Sequence, residues 1–268
     1  MPTMKKQGLY DPRFEHDACG VGFIANIKGV RSHDVVRKGI QIMENLTHRG
    51  ACGCDPLTGD GAGILMHIPH DFFAKEAHGL GFTPPEPGSY GVGMVFLPPD
   101  VNERNTCKRI FEKVVREEGQ NLLGWRTVPT DPQYCGAVAR SRMPHIRQIF
   151  IAKGRGVTDE ASLQRKLYVI RKRVENLVAA ADLEDSEAFH VPSLSTQTIV
   201  YKGMLLPEQF NFYPDLNDTS VTSAIALVHQ RFSTNTFPSW ERAHPYRYMA
   251  HNGEINTCLL YTSPSPRD

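Results

Sequence analysis

No apolar run in this sequence approaches the roughly 18–20 residues that a membrane-spanning helix needs, so no membrane segment is expected. Charge of one sign is not in excess either. The 30 Lys and Arg nearly cancel the 29 Asp and Glu, which removes the electrostatic case for nucleic acid or an anionic membrane as partner. Cysteine is sparse: six residues, at 19, 52, 54, 107, 135 and 258, are too few and too scattered for a disulfide framework. Cys52-Gly-Cys54 is too tight for the usual zinc spacing and no matching pair follows, so no metal site is expected. The opening residues mix acids with bases and lack the apolar centre of a secretory signal. No internal repeat is present, and Gly91-Val92-Gly93 lacks the third glycine and the following helix of a dinucleotide site. These absences leave a soluble protein of a reducing compartment, expected in the cytoplasm, or in a plastid if the source is eukaryotic. Its 268 residues suffice to bury a real core.

Periodicity supplies the elements. Val21, Phe23, Ile24, Ala25 and Ile27 read as a mostly buried strand opening on Cys19-Gly20, closed by a turn at Lys28-Gly29. Asp34 is the expected cap of a helix with Val35, Val36, Ile40, Met43 and Leu46 on one face, ending at His48-Arg49-Gly50. Strands are predicted at Ile64–Ile68, Gly91–Leu97, Leu122–Val128 and Ile146–Ala152, with a helix over Val101–Glu118. Thr158-Asp159-Glu160 opens a long helix whose inward stripe is Leu163, Leu167, Ile170, Val174, Leu177 and Val178. Two strands are expected to flank Pro192, one ending at Val191 and one near Thr196–Tyr201, and another candidate covers Val221–His229. Strands and helices come in blocks rather than in strict alternation, which favours an α+β layered fold.

Four stretches carry residues suited to chemistry. In His16-Asp17-Ala18-Cys19-Gly20, a thiol of pKa roughly 8.5 stands where cleavage after Ala18 would free an α-amino group of pKa roughly 7.7–8.0. One residue would then supply both nucleophile and base. The alternative is a buried core cysteine in an edge strand. Gly59-Asp60-Gly61-Ala62-Gly63 lets a backbone pass close to something, a neighbouring strand or a ligand; the alternative is a plain turn. In His229-Gln230-Arg231-Phe232-Ser233-Thr234, a guanidinium at a strand end beside the Ser233 and Thr234 hydroxyls suits bidentate capture of a carboxylate. The dozen or so residues that follow could close over the captured group. A salt-bridged surface arginine is the other reading. In His251-Asn252-Gly253, the Asn252 amide and the Gly253 N–H can converge as an oxyanion hole, in which one donor is worth about 3–4 kcal/mol of transition-state stabilisation. Asn-Gly is also an ordinary turn. Thiol, carboxylate grip and oxyanion donors are together the parts of amide hydrolysis.

The stretches GLYDPRFEHDACGVGFIA, THRGACGCDPLTGDGAGIL, HQRFSTNTFPSW and AHPYRYMAHNGEINT resemble the amino-terminal class II glutamine amidotransferase domain of glutamate synthase large subunits. The likeness runs from Gly8 to Thr257. It implies an N-terminal-nucleophile αββα sandwich, here incomplete at the C-terminus. Residues 1–18 would be a propeptide, 19–257 the first part of the amidotransferase domain, and 258–268 a non-native tail. Cys19 would attack the side-chain amide of L-glutamine, release ammonia and carry a γ-glutamyl thioester. Arg231 would bind the substrate α-carboxylate, Asn252 and Gly253 would hold the oxyanion, and Arg49 would order the nucleophile's surroundings. The resemblance places FMN and an iron–sulfur cluster in downstream synthase domains of the full-length enzyme, none in this segment. Ammonia would pass to those domains of the same polypeptide, with a small reductase subunit or ferredoxin as electron source. The acidic residue that holds the glutamine α-amino group falls beyond the resembling stretch, so the chain alone is expected to be inactive. The rival expectations are another N-terminal-nucleophile amide hydrolase, such as a cysteine acylase, and a non-catalytic fragment.

Overall fold

The computed structural model describes residues 20–50, 55–231 and 237–250. In chain order these form β1 (Val21–Ala25), α1 (His33–Asn45), β2 (Ala62–His67), α2 (His70–Gly79), β3 (Tyr90–Leu97), α3 (Val101–Glu117) and β4 (Asn121–Thr127). There follow α4 (Ala137–Ser141), β5 (His145–Ala152), α5 (Glu160–Ala179), β6 (His190–Ser195), β7 (Thr198–Gly203) and β8 (Ile225–Gln230). The strands make two four-stranded sheets, ordered β1-β8-β2-β7 and β4-β5-β3-β6, with every pairing antiparallel.

Alternation along the second sheet sorts its side chains into two layers. Val95, Leu97, Ile149, Ile151 and Leu194 meet the stripes of α3 (Cys107, Phe111, Val114, Val115) and α5 (Leu163, Leu167, Ile170, Val174, Val178). The opposite face, with Val92, Met94, Phe96 and Phe150, shares an apolar cluster with Ile64, Met66, Ile199, Tyr201, Ala226 and Val228 of the first sheet. Helix α1 adds Val36 and Met43 to that cluster, and α2 adds Phe72 and Phe73. The result is an α+β sandwich. Its largest polar inclusion is Arg126 on β4, which donates to both Asp215 oxygens (2.7 and 2.8 Å), to Glu76 and to Gln148. The Tyr201 hydroxyl also donates to Asp215, at 3.0 Å.

Helix starts follow the sequence where a side chain reaches the first amides. Asp159 accepts from Ser162 N at 2.7 Å to open α5, and Asp100 accepts from Asn102 and Glu103 to open α3. Four expectations are corrected. Ser32, not Asp34, is the N-cap of α1; Asp34 lies in the first turn and pairs with Arg37 and Lys38. The first strand is not mostly buried: Phe23 is 70 % exposed and Ile27 is fully exposed, because among the described residues β1 is an edge strand bonded only to β8. Leu177 falls off the buried stripe of α5. The break expected at Pro192 does not occur, because among the described residues β6 is also an edge strand and its proline faces no second ladder.

Candidate active site

One end of the first sheet collects three of the stretches that carried chemistry in the sequence. The Gln230 N–H, at the end of β8, donates to the Gly20 carbonyl at 2.6 Å, and the Arg231 N–H donates to the Gly61 carbonyl at 2.8 Å. The start of β1, the glycine-rich run before β2 and the end of β8 are therefore tied by backbone bonds. The reason is strand order: β8 lies between β1 and β2, with Val21 and Gly63 both opposite His229. On the far side of Gln230, the helical turn Thr47–Arg49 takes a 3.4 Å bond from the Gln230 amide to Thr47 O, which brings the His48-Arg49-Gly50 stretch to the same corner.

Arg231 is half-buried. Burial lowers its pKa, opposed by the Asp60 carboxylate and then by Tyr246, while Arg242 adds to the lowering and Glu241 opposes it. Asp60 is itself 6 % exposed, so Arg231 sits beside a buried acid in the glycine-rich run. The guanidinium thus belongs to a partly desolvated polar corner, where a charge-assisted bond is stronger than on an open surface. Cys19, Ser233, Thr234, Asn252 and Gly253 lie outside the described residues, as does the side chain of Arg49.

Residues 240–246 lie as a strap across the face of the first sheet opposite α1. Across that face run His229, Gly63 and Lys202, mutually paired on β8, β2 and β7. His244 stacks on His229 with ring centres 4.7 Å apart, and Tyr246 stacks on His244 at 4.2 Å. A Cβ on Gly63 would strike the His244 carbonyl and Pro245, and one on Gly61 (φ +136°) would press on Ala243. The space left by the two glycines is filled by the strap's backbone. Lys202 is fully buried; its ammonium donates to Glu241 O and Ala243 O, both at 2.8 Å, and lies 4.7 Å above the centre of the Tyr246 ring. Burial pushes its pKa down to about 7, with Glu241 pulling it back and Arg171 and Arg231 adding to the fall. At one end the strap is anchored by the Trp240 indole N–H, which donates to Ala139 O at 3.0 Å.

Sequence reasoning placed Arg231 at this corner but did not anticipate Asp60, Lys202, His244 or Tyr246 around it. A lysine inside the otherwise apolar stretch Thr198–Gly203 was the available signal for Lys202. A cavity of about 430 Å³ lies on another side of Trp240, lined by Phe96, Arg142, Glu187 and Met204; none of the expected site residues borders it. The described cysteines, Cys107 and Cys135, are buried singly, and burial pushes both thiols up to about 11, far from a reactive thiolate at neutral pH. Among the described residues no three His, Cys, Asp or Glu side chains converge to hold a metal ion or a cluster. Among them, too, no helix is long and apolar enough to cross a membrane.

The chain is similar to known proteins over nearly its whole length. The chain is 52 % identical over 254 residues to the large chain of glutamate synthase [NADPH] from Bacillus subtilis. It is 46 % identical over 264 residues to glutamate synthase [NADH] from Saccharomyces cerevisiae, and 43 % identical over 259 residues to the chloroplastic ferredoxin-dependent glutamate synthase of rice, Oryza sativa. These alignments cover 94 %, 94 % and 96 % of this chain but only 16 %, 12 % and 16 % of the relatives, so the chain spans a minor part of their length. Residues 19–260 match the family described as glutamine amidotransferases class-II, a match that opens on Cys19, and the chain belongs to that family.

Proposed function

We propose that this chain is the glutaminase unit of a glutamate synthase, hydrolysing L-glutamine to glutamate and ammonia with Cys19 as nucleophile. The observation that carries the reading is the pair of backbone bonds Gln230–Gly20 and Arg231–Gly61, which tie Arg231 to the glycine-rich run and its neighbour Gln230 to the residue that follows Cys19. In this reading residues 1–18 are removed and the freed α-amino group of Cys19 takes the thiol proton. The thiolate adds to the carbon of the side-chain amide while Arg231 grips the α-carboxylate. The Asn252 amide and the Gly253 N–H hold the negative oxygen, with Ser233 and Thr234 beside Arg231 on the substrate and Arg49 ordering the nucleophile's surroundings. The tetrahedral species collapses with transfer of the proton to the amide nitrogen, ammonia leaves, and water hydrolyses the γ-glutamyl thioester to regenerate the thiol.

The full polypeptide would use the ammonia in a synthase domain carrying FMN and an iron–sulfur cluster, with electrons from a reductase subunit or ferredoxin. The glutaminase steps above use only residues of this segment. The test, made in the full-length synthase that carries this segment, is mass measurement of the mature N-terminus, with ammonia release assayed before and after Cys19→Ala. Mature protein beginning at Cys19 and a loss of at least a thousandfold in turnover are expected. Undiminished ammonia release by Cys19→Ala, or by protein that still carries residues 1–18, refutes the mechanism.

A further inference from the structure

We propose that Lys202 is a positioning residue of this site: bonded to the Glu241 and Ala243 carbonyls and set over the Tyr246 ring, it fixes the strap 240–246, which borders the Arg231 corner and precedes Asn252-Gly253 in the chain. The inference rests on the glutaminase reading and extends it to a residue to which that reading gives no role.

A loop laid across a sheet face has no neighbouring strand to satisfy its carbonyls, and buried carbonyls without donors are costly. Lys202 meets that need from below. It is the buried cation of an otherwise apolar strand, with three donors and a stem long enough to rise from β7 to the strap. A methionine would fill the same volume without the burden of a buried charge. What the lysine adds is a fixed height and register for the strap above Gly63. The groups facing it suit that role: two backbone oxygens, an aromatic face, and the Glu241 carboxylate close enough to favour its charge. The strap in turn bears on the Arg231 corner, because His244 stacks on His229 two residues before Arg231 and Tyr246 lies within electrostatic reach of its guanidinium.

The experiment, in the full-length synthase that carries this segment, compares wild type, Lys202→Met and Gly63→Ala, the last keeping the lysine's amine but driving a methyl group into the His244 carbonyl and against the Lys202 Cβ. Three quantities are read: kcat per active site, with sites counted by stoichiometric labelling of Cys19 by the diazoketone analogue of glutamine; KM for glutamine; and hydrogen exchange at the Arg242 and Tyr246 amides. Those amides are bonded to Ser239 O and Met249 O. Both variants are expected to lose at least tenfold in kcat per labelled site with KM changed less than threefold. Exchange at the two amides should rise at least tenfold while amides of α5 stay protected. A purely structural lysine would lower the number of labelled sites but leave kcat per site alone, and that result overturns the proposal. Unchanged exchange in Lys202→Met overturns it too. A wild type that neither turns over glutamine nor labels at Cys19 defeats the glutaminase reading and takes this inference with it; an active wild type with unimpaired variants defeats the inference alone.

Discussion

Replacing Asp215 by asparagine should destabilise the fold by about 3 kcal/mol, and the size follows from where the charge sits. Arg126 and Asp215 are both almost fully buried, at 4 % and 3 % side-chain exposure, while Glu76, the other carboxylate on the guanidinium, is 33 % exposed. Burial alone would lower the Arg126 pKa, but the bond and charge of Asp215, with help from Glu76, hold it above its ordinary value. Removing one partner of a buried pair costs about 3–5 kcal/mol, since the survivor keeps its desolvation penalty. Glu76 remains to neutralise part of the guanidinium, and asparagine keeps one acceptor, so the lower end applies. Against a total stability of roughly 5–15 kcal/mol this is a large share. It should appear as a fall in Tm of roughly 6–12 °C for a domain of this size. Urea and thermal unfolding followed by circular dichroism measure it. The paired change Arg126→Met with Asp215→Leu should lie closer to wild type than either single variant, because no fully buried charge is then stranded and Glu76, 33 % exposed, keeps its contact with water. An Asp215→Asn protein within 1 kcal/mol of wild type (about the error of the extrapolation) would show that water reaches the pair and that the buried-charge reasoning is wrong.

Two other outcomes concern the candidate site. Arg231→Lys replaces a planar fork by a point charge, so one of two charge-assisted bonds to a carboxylate is lost; at about 1.5–3 kcal/mol per bond, kcat/KM for glutamine should fall roughly 10–100-fold. An amide substrate without the α-carboxylate should be handled equally by wild type and variant, and unequal loss there would remove the assigned role. The folded pKa of Lys202, about 7, lies below its ordinary 10.5. Between those values the unfolded chain holds a proton that the folded chain lacks, so stability must rise with pH through this window and be lost as pH falls through 7. Lys202→Met should flatten that rise, and identical Tm–pH curves for the two proteins would contradict it.

What the sequence disclosed was local. Asp159 opens α5 because a cap acts within three residues, and the stripes of α3 and α5 are nearly all inward because helical period is an intrachain property. The burial of β1 was misjudged for the complementary reason. Phe23 looks like a core residue in its own strand, and only the order β1-β8-β2-β7 makes that strand an edge with one face uncovered among the described residues. Strand order is set by pairings between segments about two hundred residues apart, and alternation within each strand says nothing about it. The same limit applied at the site.

Gly61 and Gly63 announced that something passes close without saying what. The answer is the strap at 240–246, and it depends on a lysine in β7 that falls just past the strand predicted near Thr196–Tyr201. A lysine at that place is understandable only as the donor to a loop laid over the sheet. The glycines that make room and the cation that holds what fills it are therefore one device, distributed over β2, β7 and the strap. Substituting either component should disturb the loop at the same point, which is why Gly63→Ala and Lys202→Met are expected to share one kinetic signature although their side chains have nothing chemical in common.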